Sequence, residues 1–463
     1  MIIRSAVLIF FTLSVFSATT AIAGVVAVNA PIGGTGCDLI DAINSANNDV
    51  NEGGCLALNG YDDADTILLT RDQILTTTFT ERNGLPAINS DITIDGDSLS
   101  DENEFFKIRR SDEPGTPSFR IFEVRDSGKL TLRSLEVSNG HLDPVDSGFI
   151  PGGGILVEQG ELVLLDVALL DNFAQVGGAL HILSSNARAR IERSSFYNNR
   201  ASNSGAAISI GPSSSVSIYD STITGNHSDG FGAGIVMSAF ATENQLAIYN
   251  TTISDNFAGT GGGIMVRETS TTVSNPSRTI IIRNSIISGN SHDSNANGED
   301  ILFGEEIFTS RYPTVTFDNN IVGQSENTSV RSIKNLANGL ANNIIATSDG
   351  NRPTRLNDII GSLSFSSKGV AYLPLVENSP AIDSGVPFRV FRSGPPPLNT
   401  SFFEPGCTGL LIGIGTSQPY RIDQIGTDRP IGNECDIGAI EYQPQEQCYV
   451  IPTANGKTVV FCL

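Results

Sequence analysis

The chain of 463 residues contains no tryptophan, and aromatic residues of all kinds make up 7% of it. Indole platforms for sugar rings are therefore excluded, and a sugar-stacking surface would have to be built from other rings. Basic side chains are scarce, 28 against 50 acidic ones, which leaves a formal net charge of -22. A surface of that sign repels phosphate backbones, so nucleic acid is not an expected partner. Solubility outside the cell explains the acidity, whereas calcium or a cationic surface is the more specific reading. No motif supports calcium, because "YDDAD" at Tyr61–Asp65 lacks the spaced ligands and closing Glu of an EF-hand loop. No cofactor is indicated.

Long apolar runs are absent beyond the first residues, so no transmembrane helix is expected in the mature chain. The start itself has Arg4, an apolar run from Ala6 to Phe16 and the small-residue end Ala21, Ile22, Ala23 before Gly24. It reads as a signal peptide over 1–23, and a retained signal anchor is the alternative. The glycine clusters lack the Lys-Ser/Thr of a phosphate loop, and no Gly-x-Ser-x-Gly sits between a strand and a helix. Close cysteine pairs of the zinc-site kind are missing too. The six cysteines, Cys37, Cys55, Cys407, Cys435, Cys448 and Cys462, are an even number in an exported chain and favour disulfides. Fifteen pairings exist, and residue order does not choose among them. Nearest-neighbour pairing is the expectation: 37 with 55, 407 with 435, and 448 with 462. A three-residue hairpin loop, Ala454-Asn455-Gly456, would set the last two opposite each other.

Against these absences stands a repeat. The phrase "IYDSTITGN" at Ile218–Asn226 has counterparts in one register at Leu164–Asn172, Ile191–Asn199, Ile248–Asn256 and Ile282–Asn290, starting 27, 27, 30 and 34 residues apart. A glycine phrase keeps the same rhythm at Gly152, Gly177, Gly205, Gly232 and Gly261. Periods of this length signal a solenoid whose units bury their apolar faces against one another. The alternation after each glycine phrase, as in Ile155-Leu156-Val157 and Ile208-Ser209-Ile210, indicates strands with the first and third residues inward. The expected fold is all-β, a right-handed parallel β-helix with caps at both ends. From about Ser111 to Asn343 it would hold roughly eight coils in a rod about 40 Å long.

The third position of the phrase forms a column, Asp166, Arg193, Asp220, Asn250 and Asn284. It reads either as a polar corner ladder with one substituted rung or as a carboxylate-guanidinium-carboxylate ligand patch. Beside it, Tyr219 and Tyr249 could stack on a ligand or simply on each other across strands. The outward residues of the glycine-led strands, Leu156, His181, Ser209, Val236 and Met265, include no carboxylate cluster, and His181 reads as an exposed surface residue.

The alternation of "GGGI", "GGAL" and "GAGI" with "FYNN", "ITGN" and "ISDN" resembles the repeats of chlamydial polymorphic membrane proteins and related bacterial β-helix proteins. "CDLIDAINSAN" at Cys37–Asn47, with "DITIDGD" after it, is similar to the start of CSLREA-domain proteins, departing from that signature at Asp38, Ile40 and Asp41. "NSPAIDSG" at Asn378–Gly385 and "DQIGTDRPIGNECDIGAIEY" at Asp423–Tyr442 look like the choice-of-anchor Q domain. The resemblance implies a secreted or surface-exposed bacterial protein with a pectin-lyase-like fold, the periplasm being the alternative location, and it names an architecture more firmly than a function. The organisation expected is signal 1–23, N-terminal cap 24–110 with a short helix near Asp38–Asn47, β-helix 111–345, C-terminal region 346–444 closing the other end, and stapled hairpin 445–463. The functional expectation is a non-catalytic adhesion or binding module for an extracellular polysaccharide or protein. Loops at Leu142–Pro151, Thr269–Ser277 and His292–Arg311 are candidate contacts. A polysaccharide lyase or glycoside hydrolase is the alternative; no catalytic or metal-ligating residue is identified for it.

Overall fold

The computed structural model describes residues 24–462 apart from 59, 61–63, 98–104, 144–148, 184–185, 239–242, 268–276, 294–299, 304–313, 324–342, 347–354, 386–388, 393–400, 405–408, 411–418, 421, 430–434, 444–447 and 453–457. The repeat folds into a parallel β-solenoid. Each phrase forms one bent side of a coil. In the copy at Ile218, strand Ser215–Tyr219 ends at Asp220, whose φ of 45° turns the chain into strand Thr222–Thr224. The aliphatic residue that opens each phrase then stacks in register on its counterparts: Leu132, Leu164, Ile191, Ile218, Ile248 and Ile282 lie one above another and are fully buried. Burying one such side chain contributes about 1.5–3 kcal/mol, and the column repeats that gain coil after coil.

Three sheets run along the rod. The longest carries both halves of every phrase. The glycine-led sheet has seven strands, from Phe122–Val124 to Ile301–Phe303. A short sheet of five runs from Phe173–Val176 to Ser291–His292. The solenoid also starts earlier than the repeat suggests. Strands Val25–Val28, Ala64–Leu69 and Asp91–Asp95, within the stretch read as a cap, are stacked rungs of the long sheet. The expected helix is present at Leu39–Asn48, capped by Asp38, and packs Leu39, Ala42, Ile43 and Ala46 against those first rungs. Disulfide Cys37–Cys55 brackets it, in agreement with nearest-neighbour pairing.

The glycine column has a steric cause. At Gly177 (φ 64°) an added Cβ would lie 2.7 Å from that of His181, and at Gly205 (φ 64°) 2.7 Å from that of Ser209. The chain folds back so sharply there that only glycine fits, in both conformation and space. The same fold-back covers the outward residues of the glycine-led strands. Leu156, His181, Ser209, Val236 and Met265 are all no more than 8% exposed. The reading of His181 as a surface residue is therefore corrected: alternation sets its direction, but the glycine bend decides what lies over it.

The C-terminal stretch, expected to close the far end of the rod, behaves differently. Its described residues dock along the side. Gln424 accepts from Thr222 Oγ1 (2.5 Å) and donates to Ser194 O (3.2 Å) and Ala371 O (3.0 Å). Ala371 N donates to Ser195 Oγ, Ala439 N to Thr252 Oγ1, and Gly438 N to Asn284 O. These contacts cover four successive rungs. An apolar cluster of Ile359, Ile360, Leu373, Leu375, Ala381 and Ile437 seals the seam against Ile286 and Ile321. Cys435 is buried and disulfide-bonded, and its expected partner Cys407 lies outside the described residues. Strands Cys448–Pro452 and Thr458–Cys462 pair antiparallel with Cys448 opposite Cys462; the predicted turn at Ala454–Gly456 also lies outside the described residues. So do most of the three loops expected to make contacts.

Candidate functional site

The third-position column is a left-handed corner: φ is 57° at Asp166, 46° at Arg193, 45° at Asp220, 47° at Asn250 and 49° at Asn284. Asp and Asn adopt this conformation readily, and Arg does so at a cost of order 1–2 kcal/mol. Arg193 is held there by a bidentate pair, Nε to Asp166 Oδ1 at 2.7 Å and Nη2 to Asp166 Oδ2 at 2.6 Å, with Glu192 Oε2 at 3.8 Å from Nη1. Asp220 is 4% exposed and faces a second guanidinium, Arg429 Nη2, at 3.5 Å. Burial pushes the Asp220 carboxyl up to about 6, while Arg429 and Arg193 pull it down. The column thus brings together the three residues read as a patch, and their charges are engaged with one another and with Arg429.

The two tyrosines stack, with centroids 5.3 Å apart and planes at 5°. Arg190 lies over Tyr219 at 5.7 Å. Tyr249 is 4% exposed, so its ring faces its neighbours and not solvent; Tyr219 is half-buried.

Arg429 belongs to the phrase Asp423–Tyr442, and the structure explains that phrase. Arg429 is 2% exposed; Nη1 meets Glu441 Oε1 at 3.1 Å and Nη2 donates to Gly438 O at 2.9 Å. Asp423 accepts from the backbone N–H groups of Ile425, Thr427 and Glu441. Asp436 accepts from those of Asp383 and Tyr442. These acids and Gln424 are ties that shape a clamp and fasten it to the rod.

Two features are not foreseen from the sequence. The first is an internal ladder at the ninth position of the phrase. Asn172, Asn199, Asn226 and Asn256 each donate both backbone N–H and Nδ2 to Oδ1 of the next Asn, at 2.8–3.2 Å, and Asn290 gives the same pair to Asp300. The presence of that Asn in all five copies of the phrase is the signal that points to it. The second is an open groove of about 260 Å³ lined by Asn186, Arg188, Ser213, Ser215, Gln245 and Thr279, together with Ala187 and Asn244. Arg188, Ser215, Gln245 and Thr279 are direct cross-strand partners, so the groove runs along the rod with one polar side chain per rung.

His181 has no hydrogen-bond partner at either ring nitrogen, and burial, with the nearby Arg120 charge, depresses its pKa to about 3. Between pH 3 and 6.5 the unfolded chain binds a proton that the folded chain refuses, so stability is present above 6.5 and lost as pH falls toward 3. Replacing His181 with phenylalanine is expected to remove close to one proton from the pH slope of unfolding free energy in that window, measured by denaturant titration. An unchanged slope would mean the imidazole is not sealed off.

Among the described residues no group of three or more His, Cys, Asp or Glu is placed to hold a metal, and no helix is long and apolar enough to cross a membrane. Fold and groove together define the class, a parallel β-solenoid with a laterally clamped side and a polar trough along its axis. The chain matches no family model, no curated protein and no solved structure.

Proposed function

We propose that the protein is an exported, non-catalytic binding rod that takes an extended, hydroxyl-rich chain, a polysaccharide, along its lateral groove. The observation that carries this is the groove's lining: an Arg, hydroxyls and amides, repeated rung by rung, with no carboxylate among them. Rungs about 4.8 Å apart present donors and acceptors at a regular interval, which suits a polymer better than a compact ligand. Hydrogen bonds from such groups confer binding and orientation, and nothing in the lining supplies an acid-base pair for cleavage. The signal-like start and the likeness of the flanks to CSLREA and choice-of-anchor Q regions support export to the surface or surroundings of a bacterium.

The test is incubation of the purified chain with acidic and neutral polysaccharides, with and without calcium, following both retained binding and new chain ends. Binding without cleavage is expected, and Arg188→Ala or Gln245→Ala should weaken it by about 5- to 10-fold, the loss of one or two hydrogen bonds. Appearance of new chain ends would replace this reading with a lyase or hydrolase. Unaltered binding in both variants would move the site elsewhere on the rod.

A further inference from the structure

The outward face of the short sheet carries one side-chain arrangement twice. A bridge joins His141 to Phe173, and the register continues through Arg200, His227 and Phe257 to Ser291, which sets these residues in a single column along the rod. In that column His141 stacks on Phe173, with centroids 4.8 Å apart and planes at 28°, and His227 stacks on Phe257, at 5.0 Å and 23°. Each imidazole also reaches sideways to the acid two residues on: Nε2 of His141 lies 2.9 Å from Asp143 Oδ1, and Nε2 of His227 lies 3.1 Å from Asp229 Oδ1. The two His-Asp-Phe sets start three rungs apart, about 14 Å along the rod. They differ in what comes next. Arg200 follows Phe173, whereas Ser291 follows Phe257, so only a hydroxymethyl group stands over the far face of the second ring, which is 37% exposed.

We propose that Phe257, His227 and Asp229 form a binding site for a pyranose ring, and Phe173, His141 and Asp143 a second one, so that a sugar chain lies along this sheet with a ring at each. A pyranose has apolar C–H faces and a rim of hydroxyls. Its face packs on the phenylalanine, and its rim hydroxyls donate to the carboxylate beside it. The imidazole engages one oxygen of that carboxylate and so fixes its position, while a carboxylate has about four lone-pair sites and keeps acceptors for the ligand. Asp143 and Asp229 are 61% and 57% exposed, open to a ligand from outside. Arg200, exposed between the two sets, adds donors for further hydroxyls. Other partners fit less well. Within the stripe the strands hydrogen-bond to one another, so a peptide meets side chains there and not a free strand edge. The two acids repel a phosphate backbone or an anionic membrane. This site lies on a different sheet from the groove and does not depend on it.

The chain has four histidines, so imidazole signals in NMR, assigned by single substitutions, report on this sheet in the full-length protein. Cellohexaose and galactohexaose are titrated in, with sorbitol, which has the hydroxyls but no ring, as the control. The His141 and His227 signals are expected to move saturably with at least one hexaose and to stay put with sorbitol. Phe257→Ala, a change at an exposed position, should weaken that binding about tenfold, and Phe257→Tyr should retain it. Asp229→Asn should weaken it about fivefold, through the loss of a charged acceptor. Arg188→Ala, in the groove of the long sheet, should leave these movements unchanged, so failure of the groove and failure of this site are read separately. Signals of His141 and His227 unmoved by either hexaose, or moved equally by sorbitol, or binding undiminished in Phe257→Ala, would overturn the proposal.

Discussion

Replacing Asn226 with alanine is expected to cost about 3–5 kcal/mol of stability, more than a side chain of its size and polarity would suggest. Its Oδ1 is the acceptor for both the backbone N–H and the Nδ2 of Asn199, at 3.0 Å each. Its Nδ2 donates to Phe196 O, Thr224 O and Asn256 Oδ1 at 2.8–3.0 Å. The residue is 1% exposed, so water does not replace what is lost. The Asn199 amide would be left buried without its acceptor, and orphaned groups of that kind carry most of the penalty. Asn226→Asp should be no gentler, because the second carboxylate oxygen would face Asn256 Oδ1 where a donor now sits. Asp300 shows where a carboxylate does fit: at the last rung it only accepts, from Asn290 N and Nδ2. Asn198→Ala is the control, beside the ladder's Asn199 but on the exposed side; with its φ of 54° and its hydrogen bond to Asp171 it should cost about 1–2 kcal/mol. Denaturant midpoints of the three variants check this. A loss at Asn226 no larger than at Asn198 would show that the ladder adds little.

That ladder marks the boundary of what is legible in the sequence. Periodicity exposes the coil, because every unit must repeat its inward aliphatic residue and its bends to stack on the next. Hence spacing alone sets Ile191, Ile218 and Ile248 in one column, and they are cross-strand partners in the folded chain. The same periodicity displays Asn199, Asn226 and Asn256, yet their role depends on burial at the inside of a corner, which spacing does not reveal. Direction is legible at His181 and burial is not, since the cover comes from the fold-back at Gly177. Least legible is the clamp. Its contacts, Gln424 with Ser194 and Ala371 with Ser195, join residues about 180–230 apart and follow no period. The phrase Asp423–Tyr442 is conspicuous as a motif, but nothing in it announces that Arg429 engages Asp220 in the middle of the rod.

Removing that guanidinium should undock the clamp. Arg429→Ala leaves Asp220 and Glu441, 4% and 1% exposed, without the cation that lies 3.5 Å and 3.1 Å from them. Breaking a buried ion pair from one side typically costs about 3–5 kcal/mol, because the surviving charge is stranded. The loss falls on the seam between residues 356–442 and the rod, whose remaining ties are a small apolar cluster and a few hydrogen bonds. Limited proteolysis and hydrogen exchange should therefore show that stretch opening while the aliphatic column of the rod stays protected. The effect should shrink on acidification through pH 6: the Asp220 carboxyl already stands near 6 with Arg429 present, rises further without it, and a protonated acid strands no charge. Combining Arg429→Met with Asp220→Asn and Glu441→Gln, which removes the guanidinium together with the two carboxylates it pairs with, should recover most of the loss, since neutral replacement of a buried charge group is far less costly than halving it. Unchanged protection in Arg429→Ala would mean that the apolar seam and its hydrogen bonds hold the clamp, and that Arg193 and Asn250 suffice for the buried Asp220 charge.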